Sequence, residues 1–295
     1  MDIRQLRYFI SVIKEGSVGA AARIHFVTQP AISLQMQRLQ DTVGEKLFVR
    51  DGRRMVPTEA GRVLAAHAEA VVRRMDVLEA EMSGLRGLER GSLRLGAIDA
   101  VSVYVLPDIY HEFHEKYPGV ILEITVGDTR ELLEALRRGD VEVASTTLPV
   151  DARGFEVFEI YRERLVPVVP VDDPLAGKRS VTATALGEAG VITYPEGATT
   201  RRLIDTAFES AGATLRPRME ISSPEAIKRL SQAGLGPAIL PEPVVKAELE
   251  SGELVRLNVQ GVDIERAIGM VHRERAALSP AARTFLDMVA ERSRT

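Results

Sequence analysis

Residues 17–54 read SVGAAARIHFVTQPAISLQMQRLQDTVGEKLFVRDGRR. Gly16-Ser17 interrupts the preceding helical pattern, and the Ser17 hydroxyl can cap a new helix by accepting a backbone N–H. Ala20, Ala21 and Ala22 favour helix and let a second helix come close. Thr28 is placed to cap that second helix, with Pro30 in its first turn, where a missing N–H costs nothing. Ile32, Met36, Leu39 and Val43 follow at spacings of four, three and four, which predicts one buried stripe. The opposite face presents Ser33, Gln37 and Arg38, with Gln29 at its start. Amides and guanidinium groups match base edges, while hydroxyls and free N–H groups at a helix start suit phosphate. Gly44 ends the helix in the manner of a left-handed cap.

The next residues alternate as a strand over 46–50. Asp51-Gly52 is a hairpin signal, and the chain returns over 53–56 to Pro57. Arg50, Arg53 and Arg54 on such a wing suit phosphate contact.

Residues 2–60 resemble the winged helix-turn-helix of the LysR-type transcriptional regulators. The matching pieces are Leu6-Arg7-Tyr8-Phe9, Gly16-Ser17, Ala21-Ala22, Val27-Thr28-Gln29-Pro30-Ala31-Ile32-Ser33, Leu39, Gly44, Leu47-Phe48-Val49-Arg50 and Thr58-Glu59-Ala60-Gly61. Two positions depart from the pattern. His25 stands where the family usually has a core Leu, and Leu34 where a basic DNA-contacting residue is common. The DNA-binding set is therefore expected to be Thr28, Gln29, Pro30, Ser33, Gln37, Arg38, Arg50, Arg53 and Arg54.

The whole chain has 295 residues and 45% apolar content, which fits a globular protein of two or three modest domains. It has no Cys, which excludes disulfides and thiolate metal sites. No stretch has the length of a membrane span and no apolar signal region opens the chain, so a cytoplasmic protein is expected. A net charge of −4 looks wrong for a DNA binder until it is divided. Residues 1–60 hold nine Lys/Arg against six Asp/Glu, which leaves −7 for the rest. The basic part can hold phosphates and the acidic part should avoid them.

Working outward, Ile3 to Lys14 is expected as a helix facing inward with Ile3, Leu6, Ile10 and Ile13. After the wing, Leu64, Ala68, Val71, Met75, Leu78, Met82 and Leu85 alternate spacings of four and three. A single helix cannot bury such a seam alone, so a dimer through residues 59–88 is predicted. The resemblance implies that these linker helices pair antiparallel and that members commonly form tetramers. Paired recognition helices would read an interrupted near-palindrome in duplex DNA. RNA polymerase is a further candidate partner.

Gly84, Gly87 and Gly91 mark a hinge. Strands then alternate with helices: strands at 93–98, 121–126, 141–146, 166–171, 191–194, 218–221, 237–240 and 267–272, helices at 105–117, 130–138, 200–211, 224–233, 241–250 and 280–294. That grammar implies a sheet covered on both faces. The closing segment is expected to return to the first half, giving two α/β lobes joined by two crossovers, as in a periplasmic solute-binding protein. Residues 91–295 resemble the LysR-type effector domain in Tyr117-Pro118-Gly119-Val120, Gly139-Asp140-Val141, Asp173-Pro174-Leu175 and Ala233-Gly234-Leu235-Gly236 with Leu240-Pro241. The domains expected are a winged helix-turn-helix at 1–58, a linker helix at 59–88 and an effector domain at 89–295. Lobe I would take about 91–164 and 266–295, and lobe II about 165–265.

Ligands of open α/β sheets bind beyond the carboxyl ends of the strands, where helix N-termini favour anions. Ser102, Thr129, Thr146, Thr147, Ala198-Thr199-Thr200 and Ser222 fall at such junctions. Asp128 with Glu131, and Ser222 with Glu225, have capping-box spacing. A small polar, anionic effector is expected there. Every one of these hydroxyls could also serve as a helix cap alone. The family lines its cleft at the positions of Ser102, Thr129 and Thr199-Thr200, and commonly carries a hydroxyl where this chain has Ala100.

His111-Glu112-Phe113-His114 lacks the His-to-His spacing of four that zinc hydrolases use, and Gly234-Leu235-Gly236 alone does not define a dinucleotide loop. No nucleophile elbow or carboxylate pair is present. No catalytic residue, metal site or cofactor is expected, so the reading is a ligand-controlled transcription regulator rather than an enzyme. The competing reading is a solute-binding or enzymatic α/β protein whose N-terminal helices only mediate assembly.

Overall fold

The computed structural model describes residues 1–52, 54–84 and 91–293. These divide into two compact units, Met1–Met82 and Ser83–Thr295.

The first unit contains α1 (Ile3–Glu15), α2 (Val18–Ile24), α3 (Gln29–Val43), β1 (Phe48–Asp51), β2 (Arg54–Pro57) and α4 (Glu59–Gly84). A capping box opens α1: the Asp2 carboxylate accepts from the Gln5 N–H while the Gln5 amide oxygen accepts from the Asp2 N–H. Its buried face is Leu6, Phe9 and Val12, whereas Ile3, Ile10 and Ile13 are half-buried. The face is thus turned from the expected one, because the Phe9 ring packs on Phe48 in the wing. Ser17 caps α2 through the Ala20 N–H. Ile32, Met36 and Leu39 bury as expected, but Val43, the last residue of α3, is exposed.

Wing pairing runs from Phe48↔Pro57 to Asp51↔Arg54, one residue later than the sequence suggested. Leu47 is fully buried and its N–H donates to the Gln40 side chain, which anchors the wing to α3. Gly61 is obligatory here. A Cβ on it would lie 2.2 Å from the Leu47 carbonyl oxygen, so only glycine lets α4 pass the wing this closely.

The second unit runs β3 (Gly91–Ala97), α5 (Asp99–Tyr104), α6 (Pro107–Lys116), β4 (Val120–Val126), α7 (Thr129–Arg138), β5 (Val143–Thr147), β6 (Glu156–Pro170), β7 (Val181–Thr182) and α8 (Ala183–Ala189). It continues with β8 (Val191–Thr193), α9 (Thr199–Ser210), β9 (Pro217–Glu220), α10 (Pro224–Gln232), β10 (Ala238–Pro241), α11 (Glu242–Ser251), β11 (Leu254–Arg256), β12 (Val259–Gln260), β13 (Ile264–His272) and α12 (Pro280–Arg292). One ladder orders the main strands β4-β3-β5-β13-β6-β10-β8-β9, with β11 also on β6. The outer strands at each end pair in parallel, while β6 and β13 run antiparallel and carry the chain between the two lobes.

Each lobe has its own core. One gathers Leu93, Leu95, Phe113, Leu136 and Ile268 with Phe285 of the returning α12. The other gathers Val168, Ile192, Ile204, Phe208, Ile227 and Leu240. The return of the closing helix to the first lobe was expected.

Several elements differ from the expected ones. The helix expected at 105–117 is α6, Pro107–Lys116, with Pro107 opening it, but a further helix, α5, starts at Asp99 just after β3, where none was expected. The strand expected at 166–171 begins ten residues earlier, at Glu156. Its first half, Glu156–Glu163, carries no strict alternation of charged and apolar residues, and Arg162 and Arg164 face Glu265 of β13 and Asp263 just before it. Three charges in succession, Arg162, Glu163 and Arg164, hid the strand. The short elements β7, α8, β11 and β12 carry no pattern long enough to read.

Candidate DNA-binding surface and effector cleft

One stripe of α3, formed by Ile32, Gln35, Met36, Leu39 and Gln40, is buried or half-buried against α1 and α2, and Gln29, Ser33, Gln37 and Arg38 lie off that stripe, all exposed. Thr28 and Pro30 are exposed at its start. Thr28 holds the cap position without a side-chain cap bond, which leaves its hydroxyl able to meet a phosphate. The Gln37 amide donates to Asp41 at 2.9 Å. Gln29 lies along α2, its amide oxygen at van der Waals range from Gly19. Leu34 is exposed on the same face.

Arg50 extends from the wing into solvent. Arg54 instead folds its guanidinium over Gly16 at the end of α1. Arg53 lies outside the described residues, as do Leu85 of the seam and Gly87 of the hinge. His25 packs edge-on against the Tyr8 ring, centroids 4.8 Å apart, and its Nε2 lies 2.7 Å from the Ser11 hydroxyl. A polar ring thus fills a core position by finding a polar partner. Burial, followed by the nearby Arg7 charge, lowers its pKa.

In the second unit the expected residues divide into two groups. Thr129, Thr147 and Thr200 are buried where strands end and helices begin. The Thr129 hydroxyl accepts the Thr147 N–H at 3.3 Å. Thr200 accepts from Arg266 Nη1 at 3.0 Å. Thr146 is fully buried and its hydroxyl has no partner among the described residues. Ala198 caps α9 without a side-chain bond, and Thr199 accepts from Arg202 at 3.3 Å. Ala100 is buried in the core of the second lobe although it belongs to α5 of the first, so it sits where the lobes meet.

The second group lies elsewhere. Ser102 is beside the Tyr110 phenol inside the first lobe, and burial pushes that phenol up to about 12 while Ser102 draws it back. Ser222 is exposed and does not cap α10. Ser223 holds the cap position, and its hydroxyl donates to Asp99 at 3.2 Å. The box expected between Ser222 and Glu225 is absent because Glu225 is engaged by Tyr104, Lys228 and Arg229.

Sequence reasoning missed the polar groups that join the lobes. Tyr104 on α5 donates to Glu225 on α10. The buried Lys228 Nζ lies 2.9 Å from Glu225, 2.8 Å from Glu248 and 3.1 Å from the Tyr104 oxygen. Burial opposes its charge, but the bonds to Glu248 and Glu225 prevail and raise its pKa. Arg266 on β13 faces Glu163 on β6, Nε to Oε1 2.5 Å, both buried. Burial raises the Glu163 pKa, and Arg266 pulls it back. Only the buried charge at 163, out of step with the strand around it, could have signalled this pair.

Asp128 and Glu131 form the expected capping box on α7. No group of three or more potential metal ligands occurs among the described residues. No helix among them is long and apolar enough to cross a membrane.

The fold is therefore that of a helix-turn-helix unit followed by a two-lobed ligand-binding unit. Residues 3–62 match the bacterial regulatory helix-turn-helix protein, lysR family, and residues 86–294 match the LysR substrate binding domain. The chain belongs to the LysR family, as a DNA-binding transcription regulator with an effector-binding domain. It is 32% identical over 289 residues to the RuBisCO operon transcriptional regulator of Allochromatium vinosum, covering 98% of this chain and 95% of that one. Full-length CbnR complexed with its target DNA superposes with a TM-score of 0.70 at 24% identity, covering 99% and 100% of the two chains. The CcmR regulatory domain of Synechocystis PCC6803, in complex with 2-PG, gives a TM-score of 0.63 at 26% identity, covering 70% of this chain and 99% of that one.

Proposed function

We propose that this regulator reads duplex DNA with the exposed face of α3 and answers to a small anionic metabolite held between its two lobes. The observation that carries the first part is the polar side of α3. Gln29, Ser33, Gln37 and Arg38 are exposed in line, while every large apolar residue of the helix but Leu34 and Val43 is buried. Thr28 and Pro30 stand at its start, and Arg50, Arg53 and Arg54 serve the phosphates from the wing.

The protein acts as a homo-oligomer in this reading. Val71, Leu78 and Met82 of the predicted seam are exposed apolar residues. An apolar groove of about 600 Å³, lined by Met1, Ile3, Leu6, Val71, Met75 and Leu78, runs between α1 and α4. A second copy of α4 would cover both. On the second unit the edge strand β4 exposes Ile124 and Val126 on one face and Ile121 on the other, apolar groups at an edge suited to a further interface and hence to a tetramer. Two recognition helices held so would read an interrupted near-palindrome.

The effector cleft in this reading is built from Ala100, Thr129, Thr146, Thr147, Ala198, Thr199 and Thr200, with Ser102 and Ser222 more peripheral. Its ligand acts only through a difference in affinity between two arrangements of the lobes. No catalytic step is assigned, because the cleft groups comprise no nucleophile with a base. The 2-PG held by the similar CcmR domain is the first molecule to try.

Genome-fragment binding followed by footprinting tests the reading. Recovery of a few sites with an interrupted dyad, with a footprint that changes on adding an anion such as 2-PG, is expected. Sequence-blind, salt-sensitive binding alone would overturn it.

A further inference from the structure

Arg266 is 4% exposed and uses only part of its donor set. Nε is bonded to Glu163 and Nη1 to Thr200. Nη2 is buried and has no hydrogen-bond partner among the described residues. A guanidinium carries five donors in one plane, and leaving a charged donor buried and unbonded costs more than leaving a neutral one.

Two phenols close to it share the condition. Tyr161 stands two residues from Glu163 on β6, opposite Ile268, which is two residues from Arg266 on β13. Its hydroxyl is buried without a partner among the described residues. Tyr194, just after β8, is 5% exposed, and its hydroxyl likewise has no partner among them. Arg266 and Glu163 act electrostatically on both phenols, and Asp99 acts on Tyr194. Burial raises the pKa of each, so both remain O–H donors at neutral pH.

Helix α9 contributes the third component. Arg266 is bonded to Thr200 in its first turn, and Ala198 supplies no side-chain cap to the first N–H groups. A guanidinium at the positive end of a helix is a repulsive arrangement unless negative charge is present. Glu163 supplies one negative charge. Nη2 and the two phenols remain donors without acceptors among the described residues.

We propose that Arg266, through Nη2, is the anchor for the acid group of an anionic effector, with the Tyr161 and Tyr194 hydroxyls donating to the same oxygens and Glu163 as resident counter-ion. This deepens, and rests on, the reading of the cleft as the effector site. A carboxylate or phosphate has the coplanar oxygens that a guanidinium edge fits, and a phosphate has enough of them to serve the phenols too. Arg266 sits on a crossover strand, Tyr194 and Thr200 on the second lobe, and Tyr161 on the half of β6 that packs with the first. One acid group would thus tie both lobes to the strands that join them. Nη2 is sealed from solvent, so the anion reaches it only as the lobes part. Binding and inter-lobe angle are then coupled without any further device.

The test titrates inorganic phosphate and 2-PG into the full-length protein at fixed ionic strength, read by calorimetry and thermal unfolding. Both anions are expected to raise the Tm of the wild type. Arg266→Lys keeps the charge but loses the fork, and is expected to weaken 2-PG binding by about tenfold or more. Tyr194→Phe removes a hydroxyl that has no bond to lose, so the unliganded Tm is expected to stay level or rise while 2-PG affinity falls about fivefold to tenfold. A purely structural role for these groups predicts the opposite pattern. Should Arg266→Lys fail to fold, Tyr194→Phe and Tyr161→Phe decide the matter alone. The inference is overturned if neither anion shifts the wild-type Tm at millimolar concentrations, or if these variants bind 2-PG as the wild type does. In the latter case Thr129→Val separates the two ideas. A loss of binding there keeps the cleft as effector site with another anchor, and no loss removes the cleft reading as well.

Discussion

The two functional regions place their polar groups oppositely. On α3 the candidate DNA-facing residues are exposed and rest on a core that includes Phe9, Ile32 and Leu39. In the cleft the candidate ligand-facing residues are buried, and Ser145, Thr146, Thr193, Tyr161, Tyr194 and Arg266 each keep a polar atom without a partner among the described residues. An exposed amide or guanidinium is solvated and costs the fold almost nothing. A buried unbonded hydroxyl costs about 1–3 kcal/mol. The exposed α3 face can therefore change without touching stability, whereas the buried polar groups of the candidate cleft are held at the expense of stability. This difference can be broken or sharpened by substitution.

The largest effect is expected at the buried ion pair. Glu163→Ala leaves Arg266 charged and uncompensated, which should cost about 3–5 kcal/mol. A lowered Tm of the second unit, with the DNA-binding unit unfolding as before, is the expected melting profile. A Tm within a degree of wild type would mean that Arg266 finds another counter-ion.

The DNA face should show the reverse behaviour. Arg50→Ala is expected to leave Tm essentially unchanged, weaken binding to all sequences alike, and lower the slope of affinity against salt by about one ion. Gln37→Ala should cost about 1–3 kcal/mol on the preferred site but little on a site altered at one base pair. Binding of both variants to matched and mutated operators at several salt concentrations separates the two roles. If both lose affinity equally on every sequence, the recognition assignment for α3 is wrong.

Thr146→Val sharpens the comparison from the cleft side. The substitution is nearly isosteric and removes a buried hydroxyl with no bond, so chemical denaturation should show a gain of up to about 1 kcal/mol. The same variant should lose part of its footprint response to the effector. Stabilisation without loss of response would make Thr146 a bystander.

The recognition half was legible because its signals are local. Ser17, Thr28, Pro30 and Gly44 mark helix ends within a few residues of the apolar stripes they bound, and all four fell at observed ends. Even there, the Phe9–Phe48 contact turned the buried face of α1, and no local spacing encodes it. The two-lobed sheet was readable from the alternation of strands and helices. The polar cleft was not, since Arg266 and Glu163 lie 103 residues apart and each falls just outside the strand expected there, at 267–272 and 166–171. Ser222 misled for the opposite reason. Capping-box spacing is a local rule, and a tertiary partner, Tyr104, claims the Glu225 that the rule requires.

The smallest expected effect falls at His25, a half-buried polar residue of the recognition half. His25 has its pKa lowered from 6.5, first by burial and then by Arg7, so the folded unit favours the neutral ring. The unfolded chain takes up a proton at the ordinary pKa. As pH falls through 6.5, the unfolded state therefore binds the proton more readily than the folded one, and stability is lost until the folded pKa is passed. The ring is partly solvated, which keeps the change small. Melting of the DNA-binding unit at pH 7.5 and 5.5 should show a modest drop in Tm for the wild type. His25→Leu should flatten that dependence, with the leucine keeping the contact with Tyr8 while Ser11 turns to solvent. A pH slope that survives the substitution would assign the effect to another group and leave His25 as packing alone.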